Sequence, residues 1–295
     1  MPLIQELTDT YQSGWSATVA LGQRLSTHVI PLQTHHPKDS LTNQWGPQAQ
    51  ALASLTISWD RTAVEKKLIR QNWPVAKQRA AAKYLSYIER YMDEAVINMY
   101  ETGIPVSITL AQGILESGAG ASNLARKTNN HFGIKALPTA TGRRKIKAKR
   151  YDELTPQDFR YRPPAIGVSQ HHDDHVYDRF EVYASVQDSY WRHSRLLLNS
   201  CKKARKGCYR WIWQEFPIQR QYVDLTEMAE IYQSVSGYSP KDFFGKTKVP
   251  YYAAQAAGLK MAGYATSKTY HKKLVYLIET YELWRFDVAV QRALG

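Results

Sequence analysis

The chain has 295 residues, 43% of them hydrophobic, and a formal net charge of +13. That is enough apolar material for one large domain or two small ones, and it excludes an intrinsically disordered chain. No stretch reaches the length of a transmembrane helix. The positive charge points to a polyanionic partner: nucleic acid, an acidic membrane surface or the anionic bacterial wall.

Residues 1–75 mix Trp15, Trp45, Trp59 and Trp73 with polar residues, Pro31, Pro37, Gly46 and Pro47, and no helix or strand period runs through them. They read as a partly ordered N-terminal extension whose tryptophans pack on the main domain, and as a docking segment for a protein partner. The start carries Glu6 and Asp9 where an ordinary signal peptide has a basic region, so no ordinary signal peptide is expected. From Val75 to Tyr100 the pattern is helical, with Ala80, Tyr84, Tyr87, Ile88, Tyr91, Ala95 and Ile97–Met99 near helical spacing.

A second, more apolar helix follows. Pro105 suits its first turn, and Ser107 can serve the free amides there. Ile108, Ala111, Ile114 and Leu115 fall on one arc, while Gln112 and Glu116, four apart, stack on a polar flank. Gly118 and Gly120 then end the helix. A carboxylate at a helix C-terminus faces the negative end of the macrodipole. With partial burial, both effects favour the protonated acid that glycosidic cleavage needs. On the residues alone Glu116 is either a plain surface carboxylate of the last turn or a candidate general acid, with Gln112 beside it as a candidate substrate contact.

Further along, Asn129-Asn130-His131-Phe132-Gly133-Ile134-Lys135 forms a compact motif. Residues 126–150 carry nine Lys and Arg and no acid. Residues 137–168, rich in Pro and Gly, read as an irregular insert. Residues 169–183 alternate like a strand, and Ala184–Leu198 returns to a helix. Residues 200–250 read as irregular, basic and aromatic, with Lys202, Lys203, Arg205, Lys206 and Arg210 in one run. Tyr251–Phe286 reads as two helices joined at Gly263-Tyr264-Ala265-Thr266. The order predicts an α+β fold, mostly helical, with one small β element after the helix of Glu116. Domain limits are expected at 1–75 and 76–290, with inserts at about 137–168 and 200–250. Cys201 and Cys208 are compatible with a disulfide in an exported protein or with two free thiols; a zinc site would need further ligands.

The motifs from Gly103-Ile104-Pro105 through Glu116-Ser117-Gly118, Asn129–Lys135, His172-Asp173-Asp174, Phe180, Tyr183, Ser185, Asp188-Ser189-Tyr190, His193-Ser194, Ala262–Thr266, Tyr270 and Lys273-Leu274 to Ile278-Glu279 stand in one order over residues 83–290. That order resembles the bacterial N-acetylglucosaminidases of glycoside hydrolase family 73, which cut the glycan strands of peptidoglycan. The resemblance implies a lysozyme-like architecture, with Glu116 as general acid. It implies that Asn130 and Phe132 shape the nearby sugar subsites and that Tyr264 and Tyr270 line the cleft. Asp174, or else Asp173, would be the second carboxylate, activating water or stabilising the oxocarbenium-like transition state.

The sequence departs from the family pattern in three ways. The second acid is Asp where many members have Glu. Glu181 stands where the Phe-Arg-x-Tyr pattern has Arg. The two inserts are long. Assistance by the substrate's own 2-acetamido group would remove the need for a nucleophilic carboxylate.

His171, Asp173 and His175 share one face of a strand, but three ligands from one short strand make a poor tetrahedral set, so neither metal nor cofactor is expected. The basic runs match no nucleic-acid reading motif, so no nucleic-acid partner is expected; the rival readings are a basic nucleic-acid-binding protein and a non-catalytic wall binder. The expected partner is the peptidoglycan glycan strand, met in the bacterial envelope or after secretion.

Overall fold

The computed structural model describes residues 57–171 and 176–294. In chain order the helices and strands begin with α1 (Arg61–Ile69), α2 (Val75–Thr102), α3 (Val106–Ser117), α4 (Asn123–Thr128), β1 (Leu137–Pro138), α5 (Ala140–Lys147), β2 (Phe159–Arg160), β3 (Gly167–Gln170), β4 (Arg179–Val182) and α6 (Val186–Leu197). They continue with α7 (Arg210–Glu215), β5 (Tyr222–Asp224), α8 (Thr226–Ile231), α9 (Gln233–Ser236), β6 (Lys248–Pro250), α10 (Tyr251–Met261), α11 (Tyr270–Thr280) and α12 (Trp284–Leu294). The strands pair only as antiparallel two-stranded sheets, β1 with β2, β3 with β4 and β5 with β6. The fold is thus α+β and mostly helical, as the sequence predicts.

The chain divides into two compact units: residues up to Ala111 with those from Asn199 onward, and Gln112–Leu198. In the first unit α2 ends at Gly103, whose φ of 74° closes the helix in the left-handed conformation. Its buried stripe runs Ala81, Leu85, Ile88, Met92, Ala95 and Met99. Helices α10 and α11 pack together, the alanines of α10 (Ala253, Ala254, Ala256 and Ala257, all fully buried) allowing close approach. Gly258 brings α10 onto α7: a β-carbon there would lie 3.0 Å from Ile212 Cγ1.

Four sequence readings change. Residues 1–75 are not free of helical structure, because α1 forms behind Asp60, whose carboxylate accepts from the Thr62 and Ala63 amides. Trp59 and Trp73 are buried, the first donating from Nε1 to the Tyr281 carbonyl at 2.7 Å, which agrees with the expectation that the tryptophans pack on the main domain. Trp15 and Trp45 lie outside the described residues. The 137–168 insert contains helix α5, capped by Thr139. The helix is strongly basic, with Ile146 as its one large apolar residue, and Gly142 is inside it because a β-carbon would stand 2.3 Å from the Asp158 carbonyl oxygen. The 200–250 segment holds α7, α8, α9 and the β5–β6 hairpin, and α12 adds a third C-terminal helix. Cys201 and Cys208 are bonded, closing a loop with a sequence separation of 7.

The start of α3 is held from afar. Asp287 of α12, fully buried, accepts from the Ser107 amide (2.8 Å), the Ser107 hydroxyl (2.5 Å) and the Tyr251 hydroxyl (2.9 Å). Ser107 therefore does not cap the helix itself, as its sequence position suggests; it hands its hydroxyl to the carboxylate that does. Burial pushes the Asp287 carboxyl up to about 7, against these hydrogen bonds, which pull it down.

Removing the carboxylate in Asp287→Ala orphans several buried donors at once and should cost about 3–5 kcal/mol by urea unfolding. The wild type keeps a proton on Asp287 over a range where the unfolded chain has lost it. Stability from this group therefore falls as pH rises from about 4 to about 7 and is level above. Asp287→Asn should abolish that part of the pH dependence; an unchanged profile contradicts the assignment.

Candidate active site

Glu116 is the penultimate residue of α3 and is exposed. The burial that the sequence argument adds to the helix-end effect is therefore not supplied by the described packing. What the protein does supply is a rigid support. Ser117 is buried; its hydroxyl donates to the Gly113 carbonyl and accepts from the Gly120 amide at 2.7 Å. The Ala119 amide returns to the Ile114 carbonyl and the Ser122 amide to the Ser117 carbonyl, both at 2.9 Å. Gly118, Ala119 and Gly120 are all left-handed, with φ of 58°, 58° and 75°. Two are glycines, which adopt this freely. Ala119 costs about 1–2 kcal/mol of strain, which the surrounding hydrogen bonds hold in place.

Behind this turn Ser122 caps α4, and α4 ends at Asn129 with φ 54°. The Asn129 side chain donates to the Tyr183 and Ala184 carbonyls at 3.0 and 3.2 Å. Asn130 is buried; its amide nitrogen donates to the Ile134 and Glu181 carbonyls at 3.0 and 2.9 Å, and its oxygen accepts from the Ile134 amide at 3.0 Å. The asparagine pair thus ties the loop after α4 to strand β4. Phe132, also buried, stacks on His193 of α6 with ring centroids 3.9 Å apart and meets the Tyr190 edge at 5.1 Å. Gln112 is fully buried in α3. In the other unit Tyr264 is half-buried and stacks on the buried Tyr270 at 5.6 Å, with Tyr209 against it edge-on at 5.7 Å. Lys260 holds that turn, its ammonium donating to the Ala265 and Thr266 carbonyls at 3.1 Å each. Asp173 and Asp174 lie outside the described residues, as does His175.

The family model described as mannosyl-glycoprotein endo-beta-N-acetylglucosaminidase matches residues 92–283, the span that carries the motifs from Glu116 to Glu279. The chain belongs to the glucosaminidase family. It is accordingly a glycoside hydrolase. No curated protein matches this glucosaminidase. It is similar to a chain in a type VI secretion effector–immunity complex from Pseudomonas protegens, at 15% identity over 68% of this chain and 92% of that one, with a TM-score of 0.38. It is also similar to the catalytic domain of the autolysin Auto from Listeria monocytogenes, at 19% identity over 73% and 98%, TM-score 0.37. A mutant peptidoglycan hydrolase from Sphingomonas sp. A1 matches at 17% over 71% and 97%, TM-score 0.35.

At Glu181, where the resemblance leads one to expect an arginine, the structure shows a buried carboxylate with an arginine partner from another element. Glu181 is buried on β4, and Arg192 of α6 reaches it, Nε to Oε2 at 3.0 Å and Nη2 to Oε1 at 3.3 Å. The Tyr183 hydroxyl donates to the same carboxylate at 2.6 Å and the Arg162 amide at 3.1 Å. Every lobe of Glu181 is occupied inside the protein, so this carboxylate braces β4 against α6. The sequence reading marks the departure but not the partner, since Arg192 lies eleven positions on (192 against 181) in a different element.

Sequence reasoning also leaves His131 and His193 without a role. Both are buried, and burial drives the first imidazole down to about 4 and the second to about 3. Unfolded, each takes up a proton near its ordinary value of about 6.5. Their contribution to stability is therefore full above about pH 6.5 and declines as pH falls toward 4. His193→Phe, which keeps the stack on Phe132, should flatten that decline in urea unfolding at pH 7 and pH 5; an unaltered decline would place its origin elsewhere.

Proposed function

We propose that this glucosaminidase cleaves the β-1,4 bond after N-acetylglucosamine within peptidoglycan strands, with Glu116 as the general acid. The observation that carries this reading is an exposed carboxylate on the last turn of a helix fixed at both ends, by Asp287 at its start and by Ser117 and the left-handed turn at its finish. A proton donor must hold its geometry while the leaving oxygen departs, and a clamped helix provides that. Bound glycan covers Glu116 and supplies the desolvation that the protein alone does not.

The second group is Asp174 or Asp173, acting on water or on the oxocarbenium-like transition state, with the 2-acetamido group as the substrate-borne alternative. Tyr264 offers its ring to the sugar, backed by Tyr270. Gln112, Asn130 and Phe132 act on the subsite by position, since all three are buried and Asn130 spends its amide inside the protein. The site of action is the bacterial envelope or the medium beyond it.

Mass spectrometry of a peptidoglycan digest tests the bond. Products ending in reducing N-acetylglucosamine are expected; reducing-end N-acetylmuramic acid would make the enzyme a muramidase and end the proposal. The exposed cations of α5 and the turn after it (Arg143, Arg144, Lys147, Lys149 and Arg150) are proposed to hold the enzyme on anionic wall. Sedimentation with purified wall should then fall steeply between about 0.05 and 0.5 M salt, where the Debye length shrinks from more than 10 Å toward a few ångströms. Binding indifferent to salt would exclude this.

A further inference from the structure

The basic, aromatic segment after α6 builds a cavity of about 220 Å³. The disulfide loop from Ser200 to Cys208 forms one wall, and residues of α7 and α8 form the others. Both bonded cysteines line it, with Lys202, Lys203, Arg210, Trp211, Met228 and Tyr232. No carboxylate is among the lining residues. Trp211 stacks on Tyr232 with centroids 4.6 Å apart, and its Nε1 donates to the Cys208 carbonyl at 2.9 Å. The indole is thus fixed to the disulfide loop by its edge. The loop is closed again at its base, where the Tyr209 and Arg210 amides both donate to the Asn199 carbonyl at 3.0 Å. Arg205 lies over the disulfide, its Nε 3.1 Å from Cys201 Sγ.

We propose that this cavity is an accessory subsite for an anionic sugar unit. Lys202 and Lys203, both exposed on a lining that holds no carboxylate, favour a carboxylate or phosphate. Trp211, backed by the buried Tyr232, offers with Met228 an apolar surface to the C–H face of a sugar ring. The volume lies below the roughly 300–1,000 Å³ of pockets that hold drug-sized ligands, which fits one sugar unit rather than a length of strand.

The same loop also backs the Tyr264 turn. The Gly207 amide donates to the Ala262 carbonyl at 2.9 Å, and a β-carbon on Gly263 would stand 2.8 Å from Lys206 Cγ. An anionic unit seated in the cavity is therefore next to the turn that carries Tyr264, and on the reading that Tyr264 touches the glycan, the cavity lies beside that contact. The disulfide links the two faces of the loop, so its reduction releases the wall of the cavity.

The test uses single sugars, which no endo-glycosidase can cleave, so it is independent of whether the protein is a hydrolase. The full chain is titrated with N-acetylmuramic acid, N-acetylglucosamine 1-phosphate and neutral N-acetylglucosamine while the Trp211 indole N–H signal is followed by NMR, assigned with Trp211→Phe. At least one anionic sugar should shift that signal and bind about tenfold or more tighter than the neutral one. The carboxylate and phosphate arms show which source the site takes. The exposed pair Lys202→Glu with Lys203→Glu should lose about tenfold in affinity, and so should Cys201→Ser with Cys208→Ser. Equal binding of the neutral sugar, no binding of either anion, or affinity untouched by the charge reversal overturns the proposal.

Discussion

The contact on which helix α3 depends is the buried carboxylate of Asp287 at its start. Helix N-termini leave backbone donors without partners, and their partial positive charge favours an acceptor that carries negative charge. Here the acceptor comes from 180 positions away in sequence, and it also engages the hydroxyls of Ser107 and Tyr251. α3, α10 and α12 are therefore joined at one buried point. The cost of burying an acid is visible in its raised pKa, and the hydrogen bonds that offset the cost are directed ones. A helix fixed in this way at its first turn presents its last turn, and Glu116 with it, in one place.

The finish of α3 is fixed by different means. Ser117, two glycines and a strained alanine turn the chain sharply beside Glu116, and the Asn129–Asn130 pair then stitches the following loop to β4. Most of the residues in the recognised motifs are thus framework. Asn130, Phe132, Gln112 and Tyr270 are interior, while Glu116 and Tyr264 are the ones with surface to offer. The Glu181–Arg192 pair belongs to the same framework.

How much of this was legible depended on which force set each element. Helices α2, α3, α6 and α11 carry apolar periodicity, and their positions follow from it, whereas α10 is rich in small apolar residues and is buried nearly all round. Even so, the buried stripe of α2 centres on Ala81, Leu85, Ile88 and Met92, one position away from several residues the spacing suggested, such as Ala80, Tyr84 and Tyr91. Helix α5 is basic and contains a glycine demanded by a tertiary approach to Asp158, so no local pattern announced it. α1 rests on a cap and a few buried residues, and α7 to α9 are too short for a period to show. Glu116 could be singled out as a candidate because a lone acid between an apolar helix and a glycine turn is a local pattern. The Asp287 cap and the Arg192 brace were not, because each joins segments that only the fold brings together.

The central claim is that Glu116 supplies the proton for glycan cleavage. The most direct measurement is reducing-sugar release from purified peptidoglycan by wild type and Glu116→Gln, with circular dichroism and unfolding midpoints showing both to be equally folded. A general acid contributes about 10²–10⁴ in rate, so the variant should fall by at least that lower bound while still sedimenting with the wall. Equal release by the two proteins would contradict the claim and move the catalytic role away from Glu116.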